Sequence, residues 1–271
     1  MGYYWSRPVD PAVPDVAPEF SWVPDLPDPR DEPAHVPKCI QNPADLFCSA
    51  SAVDLRRNAW NSLIPTYSQI QDKNAILSAV YAVLYAYTYQ YLAREYRTGT
   101  LHLLSASRAC LDHFSKRVTA RPSIRQVLQA LSTNGICDDA TWPITTVQVP
   151  SNAETQALTR KGIAFKRVQS ITLTNLVNLL KHDHCIVFGF SVPESFKLVD
   201  DSGIVPEPVR DEPIIGGHVA TIVGWRPEIQ CFIVRNCWGS QWGNRGHCYI
   251  SKDFIINSRY CNDFWIIRLE N

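Results

Sequence analysis

A histidine and an asparagine in the last quarter of the sequence have the surroundings of a catalytic pair. His218 opens a β-branched segment in the context GGHVA, and Asn236 follows in the context NCWGSQWG. An imidazole can carry a proton to and from a thiol, an asparagine amide can orient the imidazole, and the indoles of Trp238 and Trp242 can shield that hydrogen bond from water. Each residue alone is more often structural. Together they predict the histidine and asparagine of a cysteine–histidine–asparagine site.

The elements that must position these side chains segregate along the chain. Apolar periodicity predicts helices in the first two thirds, and short β-branched and aromatic runs predict strands after position 185. Separate helical and β regions predict an α+β fold and argue against a sheet built from βαβ units. The predicted helices cover 75–97, 122–131 and 172–181, and the predicted strands cover 185–192, 218–225, 231–238, 247–251 and 263–269.

Composition narrows the class of function. The 271 residues are 45% hydrophobic and carry 26 basic and 26 acidic side chains, so no excess of positive charge is available to neutralise nucleic-acid phosphates. Nine cysteines are an odd number, and their spacing has no zinc-type C-x2-C pairs. The segment 182–185, HDHC, resembles a metal-binding run, but a helix-to-strand turn would make its side chains diverge. We expect no metal, no cofactor and no nucleic-acid partner.

The N-terminal fifty residues differ from the rest. Ten of the 19 prolines lie between Pro8 and Pro43, which predicts an irregular arm over residues 1–50. The N-terminus has no apolar run of secretory length, so we expect no signal peptide and a cytoplasmic or virus-particle location. The most apolar stretch, 75–87, is shorter than the roughly 20 residues of a membrane span and predicts a buried core helix.

Several further motifs carry a resemblance to a known family. They are WVPDLPDPRD at 22–31, VDLR at 53–56, SIR at 123–125 with a following NGIC and WP, FGF at 188–190 and DFWIIR at 263–268. With the histidine and asparagine contexts, these motifs resemble the papain-like cysteine peptidases over most of the chain, and most closely a branch found in bacteria and large DNA viruses. The resemblance implies a two-lobe papain-like domain over 51–271, with a helical lobe at 57–145, a β-barrel-like lobe at 146–271 and a cleft between them.

The resemblance also assigns the site. His218 and Asn236 match the catalytic histidine and asparagine of the family. The family's Q-G-x-x-G-S-C motif falls on residues 69–75, which places Gln69 at the oxyanion hole and Ala75 at the nucleophile. Alanine has no atom that can attack a carbonyl group. Two other residues could in principle substitute as nucleophiles, but Cys48 precedes the VDLR motif with no long helix after it, and Ser78 is expected to point into packing.

Two explanations of Ala75 follow. The chain is a natural pseudopeptidase that acts as a binding or structural protein, with a virion component as one such role, or it is an active cysteine endopeptidase whose natural cysteine at position 75 was replaced. Ile70, Lys73, Asn74 and Ile76 also depart from the family pattern, which favours natural loss of catalysis. The implied partners are a protein or peptide in the cleft, or an assembly contacted by the arm. The arm either fills the cleft, as a propeptide would, or reaches a partner.

Overall fold

The computed structural model describes residues 22–34, 51–70, 77–117, 119 and 121–269. Ala75 and Cys48 lie outside the described residues. Within them, the structure has six α-helices and seven β-strands. The helices are α1 (Ser78–Thr98), α2 (Arg108–Lys116), α3 (Ile124–Asn134), α4 (Ala153–Leu158), α5 (Leu173–Lys181) and α6 (Lys252–Ile255), and the strands are β1 (Val53–Asp54), β2 (Ile163–Arg167), β3 (Ile186–Pro193), β4 (Ile214–Arg226), β5 (Cys231–Arg235), β6 (His247–Ser251) and β7 (Cys261–Leu269).

The strands form one antiparallel sheet in the order β2-β7-β3-β4-β5-β6, and β1 pairs with the far end of β4. β4 lies inside the sheet and is buried from His218 to Trp225, which explains its nearly unbroken apolar sequence. Helices and antiparallel strands occupy separate parts of the chain, so the predicted α+β class is confirmed.

Helix α1 packs the helical half of the molecule against the sheet. It is buried on almost all sides, as its alanines and tyrosines indicate, and it ends at Gly99, whose φ of 72° is left-handed. The hydroxyl of Ser78 accepts a hydrogen bond from the Val219 N–H at 3.1 Å, and the Thr221 hydroxyl donates to Ala82 O at 3.2 Å. These bonds fix the first turn of α1 beside the residue that follows His218. No described helix is long and apolar enough to cross a membrane.

Several predicted boundaries were wrong. The described part of α1 begins at Ser78, not at position 75. α3 begins two residues after the predicted proline because Ser123 and Gln126 form a reciprocal capping box there. β5 ends at Arg235, so Cys237 lies on the loop after the strand. Helices α2 and α4 and strand β2 were not predicted, because their apolar patterns are short.

Residues 22–34 of the N-terminal arm lie on the folded domain, held by five charged side chains. Arg125 of α3 and Arg167 of β2 both bind the carboxylate of Asp31, at 2.6 and 3.0 Å. Arg167 also binds Asp263 of β7 at 2.5 Å, and Asp263 accepts the backbone N–H of Asp25. The carboxylates of all three aspartates are almost fully buried. This arm segment therefore ties helix α3 to the sheet.

Candidate active site

The structure brings His218 and Asn236 together in a buried site. His218 lies near the start of β4 and Asn236 just after β5, and antiparallel pairing of these strands aligns their ends. The Nε2 atom of His218 lies 2.9 Å from Oδ1 of Asn236. The same Oδ1 accepts the backbone N–H of Cys237 at 2.8 Å, which identifies this atom as the amide oxygen. An amide oxygen only accepts, so His218 carries its proton on Nε2 and donates it to Asn236.

Burial sets the charge of this imidazole. His218 is 1% exposed, and loss of water lowers its pKa to about 4, although the hydrogen bond to Asn236 acts in the opposite direction. At neutral pH the ring is therefore uncharged, with a proton on Nε2 and a lone pair on Nδ1. This is the protonation state that a general base requires.

Aromatic rings lie against the histidine–asparagine pair. The ring of Trp238 lies 5.1 Å from that of His218, and Trp242 packs edge-on against Trp238 at 4.9 Å. Phe196 stacks on Trp242, and Phe190 contacts the His218 ring edge-on at 5.6 Å. Indole and phenyl rings on two sides exclude water from the hydrogen bond between His218 and Asn236 and so strengthen it.

Gln69 lies beside the same pair, because the loop after β5 binds it. Its backbone N–H donates to Cys237 O at 2.7 Å, and the Cys237 thiol donates to Gln69 Oε1 at 3.2 Å. The Gln69 side chain also carries an NH2 group, which is the kind of donor that an oxyanion hole uses. The role of Gln69 in an oxyanion hole stays a prediction.

Cys237 is a site residue that sequence reasoning missed. The strand predicted over 231–238 includes Cys237, but this residue lies on the loop after β5, buried, with its sulfur 4.0 Å from His218 Nε2. The signal available in the sequence was its place directly after Asn236. Any side chain at that position must lie beside the orienting amide.

Trp22 of the arm segment also lies beside this site. The backbone N–H of Trp22 donates to the carbonyl oxygen of Gly217, one residue before His218, at 3.0 Å. A β-carbon on Gly189 would lie 2.0 Å from Cε2 of the Trp22 ring, and one on Gly217 would lie 2.1 Å from Trp22 O. Gly189 and Gly217 therefore leave the space that Trp22 fills on the face of the sheet that turns towards α1. The two glycines in FGF and GGH were the signal for this contact.

Two candidate nucleophile positions, Ala75 and Cys48, lie outside the described residues, and their roles stay predictions. Ser78 is buried in the first turn of α1 and hydrogen-bonds to the Val219 N–H. This agrees with the expectation that Ser78 serves packing. Among the described residues, no cluster of three or more His, Cys, Asp or Glu side chains could hold a metal ion.

This arrangement of histidine, asparagine, glutamine and tryptophans between a long helix and an antiparallel sheet defines the class of protein. The family described as papain family cysteine protease matches residues 72–262, and the chain belongs to that family. The papain-like fold predicted from the sequence is therefore confirmed.

Particular relatives agree with this membership. The chain is 32% identical over 158 residues to an uncharacterized peptidase C1-like protein of Acanthamoeba polyphaga mimivirus, covering 54% of this chain and 51% of the relative. It is 26% identical over 128 residues to pro-cathepsin H of Mus musculus, covering 45% and 37%. The chain thus aligns with about half or less of the length of the curated relatives it matches.

Solved structures share the fold. Xylellain, a cysteine protease from Xylella fastidiosa, superposes with a TM-score of 0.74 at 21% identity, covering 93% of this chain and 96% of xylellain. The Carica candamarcensis cysteine protease CMS1MS2 in complex with E-64 superposes with a TM-score of 0.56 at 16% identity, covering 81% and 99%. At these identities, the likeness establishes the shared fold alone.

Proposed function

We propose that this papain-family chain does not hydrolyse peptides and acts as a binding or structural protein, with a role in a virus particle in keeping with its viral relative. The observation that carries the proposal is Ala75, which stands where the family motif beginning at Gln69 has its nucleophile. A methyl side chain supplies no electron pair for attack on a carbonyl carbon. The partner is a protein or peptide that binds the cleft, or an assembly contacted by the arm.

Cys237 does not replace the missing nucleophile in this geometry. Its thiol lies on the Nε2 side of His218, 4.0 Å away, where Nε2 already donates its proton to Asn236. A nitrogen that carries a proton has no lone pair to accept one from a thiol, so His218 cannot activate Cys237 from that side. This supports a site that retains its base and its orienting amide without using them for hydrolysis.

The position of Trp22 supports a cleft occupied by the chain itself. Its backbone pairs with the residue before His218, and its ring fills the space above Gly189. The arm continues along Asp25 and Asp31, which are bound to both halves of the fold. On this proposal, residues 22–34 stay attached as part of the functional protein.

The test compares four proteins: the unaltered chain, Ala75→Cys, and each of these two with Trp22→Ala added. The Trp22→Ala substitution ensures that an arm bound in the cleft cannot explain an absence of turnover. Fluorogenic peptides measure turnover, and an epoxide electrophile followed by peptide mapping identifies any activated thiol. We expect no turnover by the unaltered chain in either background. Turnover that is lost on Cys48→Ala would overturn the proposal, because Cys48 would then be the nucleophile.

A second candidate function is an active cysteine endopeptidase whose natural form has a cysteine at position 75. The intact geometry of His218, Asn236 and their tryptophan cover favours it. A thiolate at 75 would then attack the carbonyl carbon, His218 would deliver a proton to the leaving amine, and Gln69 with a backbone N–H would stabilise the oxyanion. Turnover by Ala75→Cys that disappears with His218→Ala would support this candidate, whereas a folded but silent Ala75→Cys chain would support long-standing loss of catalysis.

A further inference from the structure

Two buried cysteines lie close together in the helical half of the molecule, one in α2 and one after α3. Cys110 lies in the first turn of α2, where its N–H donates to Oγ of the N-cap residue Ser107 at 3.1 Å. Cys137 lies in the loop after α3, and its carbonyl oxygen accepts the N–H of Ser107 at 2.9 Å. Both side chains are fully buried. Ser107 thus binds the backbones of both cysteines.

The backbone around Cys137 is fixed by a second contact. Ala106 pairs with Asp138 in an antiparallel bridge, and the N–H of Asp139 donates to Ser105 O at 2.7 Å. Backbone hydrogen bonds between residues 105–107 and 137–139 therefore hold the start of α2 beside the loop after α3. Their relative position does not depend on mobile side chains.

The two thiols also interact with each other. A hydrogen bond between them raises the pKa of Cys110 and lowers that of Cys137, and the Ser107 side chain lowers the pKa of Cys137 further. The two side chains are therefore close enough to interact directly. By contrast, burial raises the pKa of Cys261 well above its usual value, with no neighbouring thiol involved.

We infer that Cys110 and Cys137 are an oxidisable pair that forms an intramolecular disulfide when the chain meets a small-molecule disulfide such as oxidised glutathione. The Cys137 thiolate attacks one sulfur of the oxidant, forming a mixed disulfide and releasing one glutathione thiolate. The Cys110 sulfur then attacks the Cys137 sulfur and releases the second glutathione. Two protein thiols are oxidised, one glutathione disulfide is reduced to two glutathione molecules, and their two protons pass to the two leaving thiolates.

Formation of this bond would join the start of α2 to the end of the segment that carries α3. The cross-link restricts the unfolded chain over the whole interval from 110 to 137, so it stabilises the folded form. The bond would use neither His218, Asn236 nor Gln69, so the inference holds whether or not the cleft is catalytic.

The test refolds the full chain in a glutathione redox buffer, which gives the oxidant access to both buried thiols while the fold still selects the pair. Non-reducing peptide mapping identifies the linked cysteines, and the melting temperature is measured before and after reduction with dithiothreitol. Matched variants are Cys110→Ala, Cys137→Ala and, as the control, Cys261→Ala, whose thiol is equally buried.

We expect one dominant cross-linked peptide, 110 to 137, in the unaltered chain and in the control. We expect reduction to lower the melting temperature by about 5 °C or more in these two proteins only. A folded, unaltered chain whose thiols at 110 and 137 both stay reduced across the oxidising range, or pair with other cysteines, would overturn the inference. The peptide map of the unaltered chain decides this even if a variant fails to fold.

Discussion

The Nε2 atom of His218 donates its proton to Oδ1 of Asn236 across 2.9 Å, and a neighbouring backbone N–H fixes which amide atom is the oxygen. One asparagine oxygen thus holds both the ring and the loop that follows it. This sharing makes Asn236 a structural residue as well as a positioning residue. Its replacement should disturb the site even where no reaction takes place.

The first prediction concerns that shared oxygen. Asn236→Ala leaves the Cys237 N–H and His218 Nε2 without their acceptor in a buried site, so we expect a loss of about 1–3 kcal/mol of unfolding free energy. Nitrogen NMR of the unaltered chain should show His218 as the Nε2–H tautomer at neutral pH, and the variant should show a mixture. As the control, Asn262→Ala removes an exposed bond and should change stability by less than about 0.5 kcal/mol. An unchanged tautomer in Asn236→Ala would contradict the assignment.

The second prediction concerns the contact between Trp22 and the two glycines. Trp22→Ala empties the space above Gly189 and Gly217, and we expect it to lower the unfolding free energy by about 1–3 kcal/mol. This is less than the loss expected for a fully buried tryptophan, because Trp22 is only partly buried. Urea denaturation measures the change. The matched control is Leu26→Ala in the same arm segment, where the side chain is 82% exposed and little change is expected. Equal effects of the two substitutions would show that the Trp22 contact contributes nothing specific.

The third prediction concerns the charges that hold the arm. Asp31→Asn removes the carboxylate shared by Arg125 and Arg167, both largely buried, and leaves their positive charges poorly compensated. We expect a loss of about 2–4 kcal/mol and faster proteolysis within residues 22–34. Asp28→Asn is the control, because its partner Arg30 is 86% exposed and such pairs contribute little. Similar protease resistance in both variants would argue against this role for Asp31.

The fourth prediction is a loss of stability in mild acid. Burial lowers the pKa of His218 and of His184 to about 4 and that of His247 to about 3, whereas an unfolded histidine titrates near 6.5. Between these values, the unfolded chain binds protons that the folded chain does not, so stability falls as the pH falls from about 6.5 towards 4.

Asp263 acts in the opposite direction, since burial raises its pKa to about 6 and the folded chain then binds a proton before the unfolded chain does. Because three histidines act in one direction and one aspartate in the other, we expect the unfolding free energy to fall by up to about 2–3 kcal/mol per pH unit between pH 6 and 4. Urea midpoints measured from pH 7 to 4.5 check this. A midpoint that stays constant or rises on acidification would contradict the histidine assignments.

Much of the fold and part of the site could be predicted from local sequence. The strands that carry His218 and precede Asn236 could be predicted because their β-branched runs are local patterns. The contact of Gln69 with Cys237 could be anticipated only through a family motif, because it joins segments far apart in sequence. No local pattern encodes such a contact.

The misses have physical causes as well. The strand predicted over 231–238 is too long, because β5 stops at Arg235 and Cys237 lies on the following loop. The chain leaves the strand there, and Asn236 then contacts the His218 ring. The position of Trp22 was missed because the two glycines that make room for it, although visible in FGF and GGH, have no side chain and add nothing to the hydrophobic pattern. Helix α2 is only nine residues long, and its apolar face becomes evident only once α3 packs against it.

On the proposal that residues 22–34 occupy the cleft, the bond between Trp22 and Gly217 has a consequence for any outside ligand. A segment of the same chain is present at an effective concentration in the millimolar range or above, whatever the dilution of the protein. A peptide that seeks the same sheet face must compete with this tethered occupant, so its apparent dissociation constant is multiplied by the ratio of closed to open molecules. On the proposed function, weak and abundant peptides would thereby be excluded, and only a partner that binds tightly enough to displace the arm would occupy the cleft.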